Sequence, residues 1–110
     1  MNEFYFEVEY SVRGAHDLNA EQETLLQALF QLELASQQVF DTDCAVNFET
    51  NSVVICTYGR ADTTEAATTA VMALIDAGLK QSAAVDWAWQ STTVRNASID
   101  ADQQLLTSAR

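Results

Sequence analysis

One histidine, two cysteines and a pair of aspartates are the residues from which this chain would have to build catalysis or a metal site. His16 is the natural candidate for general acid–base work, because an imidazole titrates near neutral pH. A nucleophile must lie within hydrogen-bonding reach of its base. The element order derived below puts His16 at the opposite end of the domain from Cys44, and Cys56 falls within a strand some way from either end. A solvated loop histidine and two small buried cysteines are therefore the better reading. Asp41-Thr42-Asp43-Cys44 has the outward look of a metal site. Zinc usually takes four Cys or His ligands at defined spacing, and a calcium loop needs more oxygen ligands and a glycine for its turn. Neither set is present, so Asp41 and Asp43 read as a solvated turn before a strand, offset by Arg60 and Arg95 at the same end. Gly14, Gly59 and Gly78 are the only glycines and each falls near the end of an element, so no phosphate-cradling loop exists. Asn96-Ala97-Ser98 matches a glycosylation sequon, which carries little weight without a secretion signal. The expectation is a chain with no catalytic, cofactor-binding or metal-ligating residues.

The charge balance narrows the partners. Sixteen acidic residues against five basic ones give a net charge of -11. Arg13, Arg60, Lys80, Arg95 and Arg110 form no run, whereas binding to a phosphate backbone draws its affinity from clustered positive charge. Direct binding to nucleic acid or to an anionic membrane is therefore not expected. An acidic surface can attract a basic partner or mimic a phosphate backbone, and either kind of binding would weaken steeply with salt. The plainer reading is that the charge keeps a small protein soluble. Lys80 is the sole lysine in a chain rich in Ala, Thr, Asp and Gln, a bias typical of high-GC genomes such as those of actinobacteria and their phages. No apolar run reaches the roughly 18 residues of a membrane span. The first residues lack the basic stretch and apolar core of a signal peptide, which makes the cytoplasm the expected compartment.

These residues have to be positioned by six elements. Residues 3–13 alternate, with Phe4, Phe6, Val8, Tyr10 and Val12 on one face and Glu3, Tyr5, Glu7, Glu9 and Ser11 on the other, the period of a half-buried strand. A helix follows to about residue 38, capped by Asn19, with Leu25, Leu29, Leu32, Ala35 and Val39 in one stripe. Leu26, Phe30 and Leu34 drift off that stripe. Cys44 to Glu49 and Val53 to Tyr58 read as a hairpin with Asn51 at its tip, its register ambiguous by one residue. Asp62 and Glu65 suggest a capping box for a second helix, and Gly78-Leu79 a Schellman ending. Residues 83–95 form the last strand, with Val85, Trp87 and Trp89 on one face.

The βαββαβ order fits a ferredoxin-like split βαβ fold: a four-stranded antiparallel sheet in spatial order 4-1-3-2 with two helices on one face. Residues 1–95 make the single α+β domain. Residues 96–110 make a polar tail with Ile99, Leu105 and Leu106, expected to fray or to form a short docked helix.

Two features are left over. Trp87 and Trp89 either pack under the helices, leaving an acidic open sheet face, or lie exposed beside Tyr5. In the second case Tyr5, Tyr58, Trp87 and Trp89 become a candidate pocket or dimer face, since aromatics dominate interface hot spots. Leu26, Phe30 and Leu34 are either covered by the hairpin loop or tail, or form a patch for a partner. With the acidic residues Glu3, Glu7 and Glu9 they make the candidate protein interface. The leading expectation is a non-catalytic acidic protein-interaction module that binds another protein or itself, of a kind that would suit a phage or mobile-element accessory protein engaging a host protein. The alternative is a cofactor-free small-molecule enzyme or sensor acting as a sheet-to-sheet dimer. A third reading is a purely structural subunit of a larger assembly.

Overall fold

A computed structural model describes residues 1–14, 17–82 and 86–97. Its order is β1 (Asn2–Val12), α1 (Leu18–Ala35), β2 (Val39–Asn47), β3 (Ser52–Ala61), α2 (Thr64–Gln81) and β4 (Trp87–Asn96). The strands form one sheet in the order β2-β3-β1-β4. Every neighbouring pair is antiparallel. This is the ferredoxin-like α+β fold that the βαββαβ order implies. His16, Val85 and the tail from Ser98 onward lie outside the described residues.

β1 holds the centre because both of its edges are paired. Its inward side chains Phe4, Phe6, Val8, Tyr10 and Val12 are all buried, as the alternation requires. Leu25 and Leu29 of α1, Ala67, Val71, Leu74 and Ile75 of α2, and Ile55 of β3 close over the first four in one cluster, and Val12 packs with Leu18 and Val53 in a second. Burying each large side chain of this kind stabilises the fold by about 1.5–3 kcal/mol relative to leaving it in water.

Several boundaries differ from those the sequence suggests, each for a local reason. Asp17, not Asn19, caps α1, its carboxylate accepting from the Ala20 N–H at 3.2 Å. α1 stops at Ala35 because Ser36 turns the chain, its hydroxyl accepting from the N–H groups of Gln38 and Val39 at 3.1 Å each. Thr63, not Asp62, caps α2 through the Ala66 N–H at 3.1 Å. α2 continues through Gly78 to Gln81, so Gly78 is no helix terminus. It marks the place where the two helices touch: a Cβ there would fall 2.5 Å from a methyl of Leu29. The last strand begins at Trp87 and is bulged opposite Glu9 and Tyr10, which leaves Gln90 as an extra residue. Asn51 sits at the hairpin tip as expected and adopts a φ of 53°, a left-handed conformation that asparagine tolerates.

Gly59 plays the same part between helix and sheet. Its missing Cβ would sit 2.9 Å from Val71 Cγ2 and 3.1 Å from the Phe6 ring, both fully buried. Val71 is β-branched and stiff at χ1, so it cannot swing aside. Gly59→Ala should therefore destabilise the protein by about 1–3 kcal/mol through overpacking, read as a lower urea midpoint. An unchanged midpoint would mean that α2 lies farther from the sheet than described.

Candidate functional site

The face of the sheet turned away from the helices carries the most organised set of polar and aromatic side chains. It is built by β1 alternation and by an irregularity in β2. Asp41 has φ 54°, and the β2–β3 register shifts between Phe40 and Asp43. The carboxylate of Glu33, at the end of α1, accepts from the freed N–H groups of Asp41 (2.8 Å) and Thr42 (3.4 Å). Thr42 turns inward, where its hydroxyl lies 2.8 Å from that of buried Thr57. Thr57 also donates to the Phe40 carbonyl at 3.1 Å. The bulge thus leaves both Phe40 and Asp43 on the open face, where strict alternation across two intervening residues would have put them on opposite faces.

On that face the register lines up rows. Glu3 pairs with Arg60, Tyr5 with Tyr58, Glu7 with Cys56 and Glu9 with Val54. β4 adds Arg95 beside Tyr5 and Thr93 beside Glu7. β2 adds Phe40 beside Tyr58, Asp43 beside Cys56 and Ala45 beside Val54. The second row is a continuous band. Phe40 stacks on Tyr58 with ring centroids 5.3 Å apart, and Tyr58 packs on Tyr5 at 5.2 Å. Arg60 lies over Phe40 at 4.6 Å and Arg95 over Tyr5 at 4.9 Å. Arg60 also holds Glu3 through Nε (3.2 Å) and Nη2 (2.9 Å). Each aromatic pair or exposed cation–π contact is worth only about 0.5–1.5 kcal/mol. Their combined effect is a band of half-exposed rings fixed in place. The Tyr5 hydroxyl is tied to Cys56 and Glu7, and this contact with Cys56, followed by burial, raises its pKa well above the usual phenol range.

The residues singled out from the sequence fall in three places. Glu3, Tyr5, Glu7, Glu9 and Tyr58 share the open face. Trp87 and Trp89 do not join them: their partners Val12 and Tyr10 face the helices. The structure therefore divides the expected four-aromatic set. Trp87 is half-buried, 6.3 Å from the Tyr10 ring, and packs on both core clusters. Trp89, nearer the middle of the same edge strand, is 55 % exposed. Its indole N–H donates to Thr92 at 2.9 Å. The third place is the outer side of α1. Phe30 is 46 % and Leu34 83 % exposed, whereas Leu26 is half-buried. Phe30 and Leu34 line a shallow groove of about 330 Å³ with Val39 and Phe40. Phe40 belongs to both this groove and the aromatic band, so the apolar surface runs from α1 around the β2 edge onto the sheet.

Sequence reasoning missed Phe40, Arg60 and Arg95 as members of one site. The apolar pair Val39-Phe40 ahead of the polar Asp41-Thr42-Asp43 was the available signal for an earlier strand start. Asp41 and Asp43 are not a loop that Arg60 and Arg95 offset: both lie within β2, and the arginines cap the aromatic band instead. Among the described residues, no group of three or more His, Cys, Asp or Glu could hold a metal ion. No described helix is long and apolar enough to cross a membrane.

No protein-family model matches the chain, and no curated protein sequence matches it. Solved structures do resemble it. A protein called YJCS superposes with a TM-score of 0.63 at 7 % identity, over 86 % of this chain and 97 % of its own. A de novo designed protein with a ferredoxin fold gives 0.60 at 18 % identity, over 86 % of each chain. SnoaB, a cofactor-independent oxygenase from Streptomyces nogalater, gives 0.56 at 14 % identity, over 86 % of this chain and 92 % of its own. At these identities the likeness is one of fold, and it is shared by a designed protein and an enzyme alike.

The two cysteines lie on opposite faces. Cys44 packs against the core, and burial, then Asp43 and Cys56, push its thiol up to about 12. A thiol is reactive as its thiolate, so folded Cys56→Ser protein should take up no thiol reagent at pH 8 and should label fully in denaturant. Labelling of the folded variant at that pH would show that Cys44 is not enclosed.

Proposed function

We propose that this chain is a non-catalytic, acidic protein-interaction module that binds through the open face of its sheet. The carrying observation is the band Arg95–Tyr5–Tyr58–Phe40, half-exposed and held in place by stacking and by its two arginines. Aromatic side chains already held in place lose little conformational freedom on binding, and Trp, Tyr and Arg dominate interface hot spots. The band continues into the Phe30/Leu34 groove, which enlarges the apolar footprint. A sheet face bearing Glu3, Glu7, Glu9 and Asp43 is a poor platform for a phosphate backbone, and this supports a protein partner over a nucleic acid. An accessory protein of a phage or mobile element, working in the cytoplasm, is the setting we propose.

A photoreactive phenylalanine analogue at position 58, in the producing cell, should give covalent protein adducts. The same analogue at Thr69, exposed on α2, should give none. No adduct from position 58 would sink the reading.

A second reading, a cofactor-free small-molecule enzyme or sensor, draws support from the fold shared with SnoaB and from the Tyr5 hydroxyl set against Cys56. The tryptophans face the other way, so their fluorescence would not report a ligand on this face. A panel of small aromatic compounds should instead shift the Tyr5 and Tyr58 ring signals in NMR spectra. Spectra that stay unchanged would remove this reading.

A further inference from the structure

The Glu3–Arg60 row and the aromatic row of the open face are self-complementary, and we infer that the partner this face is shaped for is a second copy of this chain. This rests on the reading of the face as the binding surface and names its occupant. Consider a two-fold axis parallel to the strands, midway between β1 and β3. A half-turn about it exchanges β1 with β3 and β4 with β2, row by row, because the register aligns the same rows across all four strands. Glu3 then faces Arg60 of the second copy, and Arg60 faces its Glu3. Tyr5 meets Tyr58, and Arg95 meets Phe40. Glu7 meets Cys56, Glu9 meets Val54 and Asp43 meets Thr93.

In this arrangement no carboxylate opposes a carboxylate, although the face carries four. Each arginine opposes a carboxylate or a ring. A two-fold interface sets residue i against j and j against i, so the favourable Glu3–Arg60 contact is made twice. A half-turn about an axis across the strands fails the same comparison: set on the Glu7 row it places Glu7 on Glu7 and Asp43 on Asp43. The area also suffices. Four strands about 4.8 Å apart and about ten residues long present roughly 600 Å² a side. That is about 1,200 Å² in total, the lower bound for specific interfaces. Each copy completes the other's site, since the Glu3–Arg60 pair of one chain becomes a four-charge cluster only with the second.

Three measurements on the full chain test this. The wild type should have a dimer mass by light scattering at physiological and high salt. A short bismaleimide spanning the roughly 10 Å between stacked sheets should join Cys56 to Cys56 of the second copy. Cys44→Ser protein should still be joined and Cys56→Ser protein should not. Glu3→Arg and Arg60→Glu should each weaken dimerisation at least tenfold, because each sets like charges against one another. An equimolar mixture of the two variants should recover a heterodimer. That recovery can only come across the interface, since the Glu3–Arg60 pair within each variant chain stays broken.

A wild-type monomer at every concentration, or a dimer without the Cys56 cross-link and indifferent to both charge reversals, overturns the inference. A monomer that still gives heterologous adducts from position 58 leaves the interaction-module reading standing and removes only the second copy. A monomer with no adducts removes both.

Discussion

The pairing of β1 on both edges is the constraint on which the rest of this structure depends. A strand with two hydrogen-bonded neighbours cannot slip without breaking two ladders, and its period-2 alternation then fixes the sidedness of the entire sheet. Phe4, Phe6, Val8, Tyr10 and Val12 are committed to the helices. Glu3, Tyr5, Glu7 and Glu9 are committed to the other side. β3 and β4 inherit their facing from β1, and β2 inherits its own from β3.

Helix packing follows from what that inward face offers. Two close approaches set the depth of the layers: Gly59 beneath Val71 brings α2 onto the sheet, and Gly78 against Leu29 brings the helices together. Both glycines fall near element ends in the sequence, where the familiar reason for a glycine is a turn. Here the reason is space. Trp87 reaches the core, while Trp89 on the same face stays half in water.

The open face shows how a local irregularity assembles a site. The bulge at Asp41 and Thr42 inserts residues that a regular ladder would leave with unpaired N–H groups, and Glu33 accepts from both. The Thr42 amide is partly buried, and an unpaired buried amide is costly, so this carboxylate helps to hold the bulge. The result is Phe40 beside Tyr58, with Arg60 above it. Four carboxylates and a row of aromatics gathered on one face make a surface with direction, a property that net charge alone does not convey.

The sequence by itself determined the element order, the strand order and the sidedness of β1. Those features rest on period, residue type and chirality, all of which are local or follow from connection rules. It also separated Phe30 and Leu34 from the core stripe of α1. The tertiary structure alone decided the helix boundaries set by Asp17, Ser36 and Thr63, because several neighbouring residues were chemically able to cap and only the chain path chose among them. It alone decided that Trp87 and Trp89 face the helices while Tyr58 turns away from them, since that depends on a pairing register and a bulge. The band from Arg95 to Phe40 was illegible for the same reason. Its members come from four strands spread over more than half the chain, and only the ladder that aligns their rows makes them neighbours.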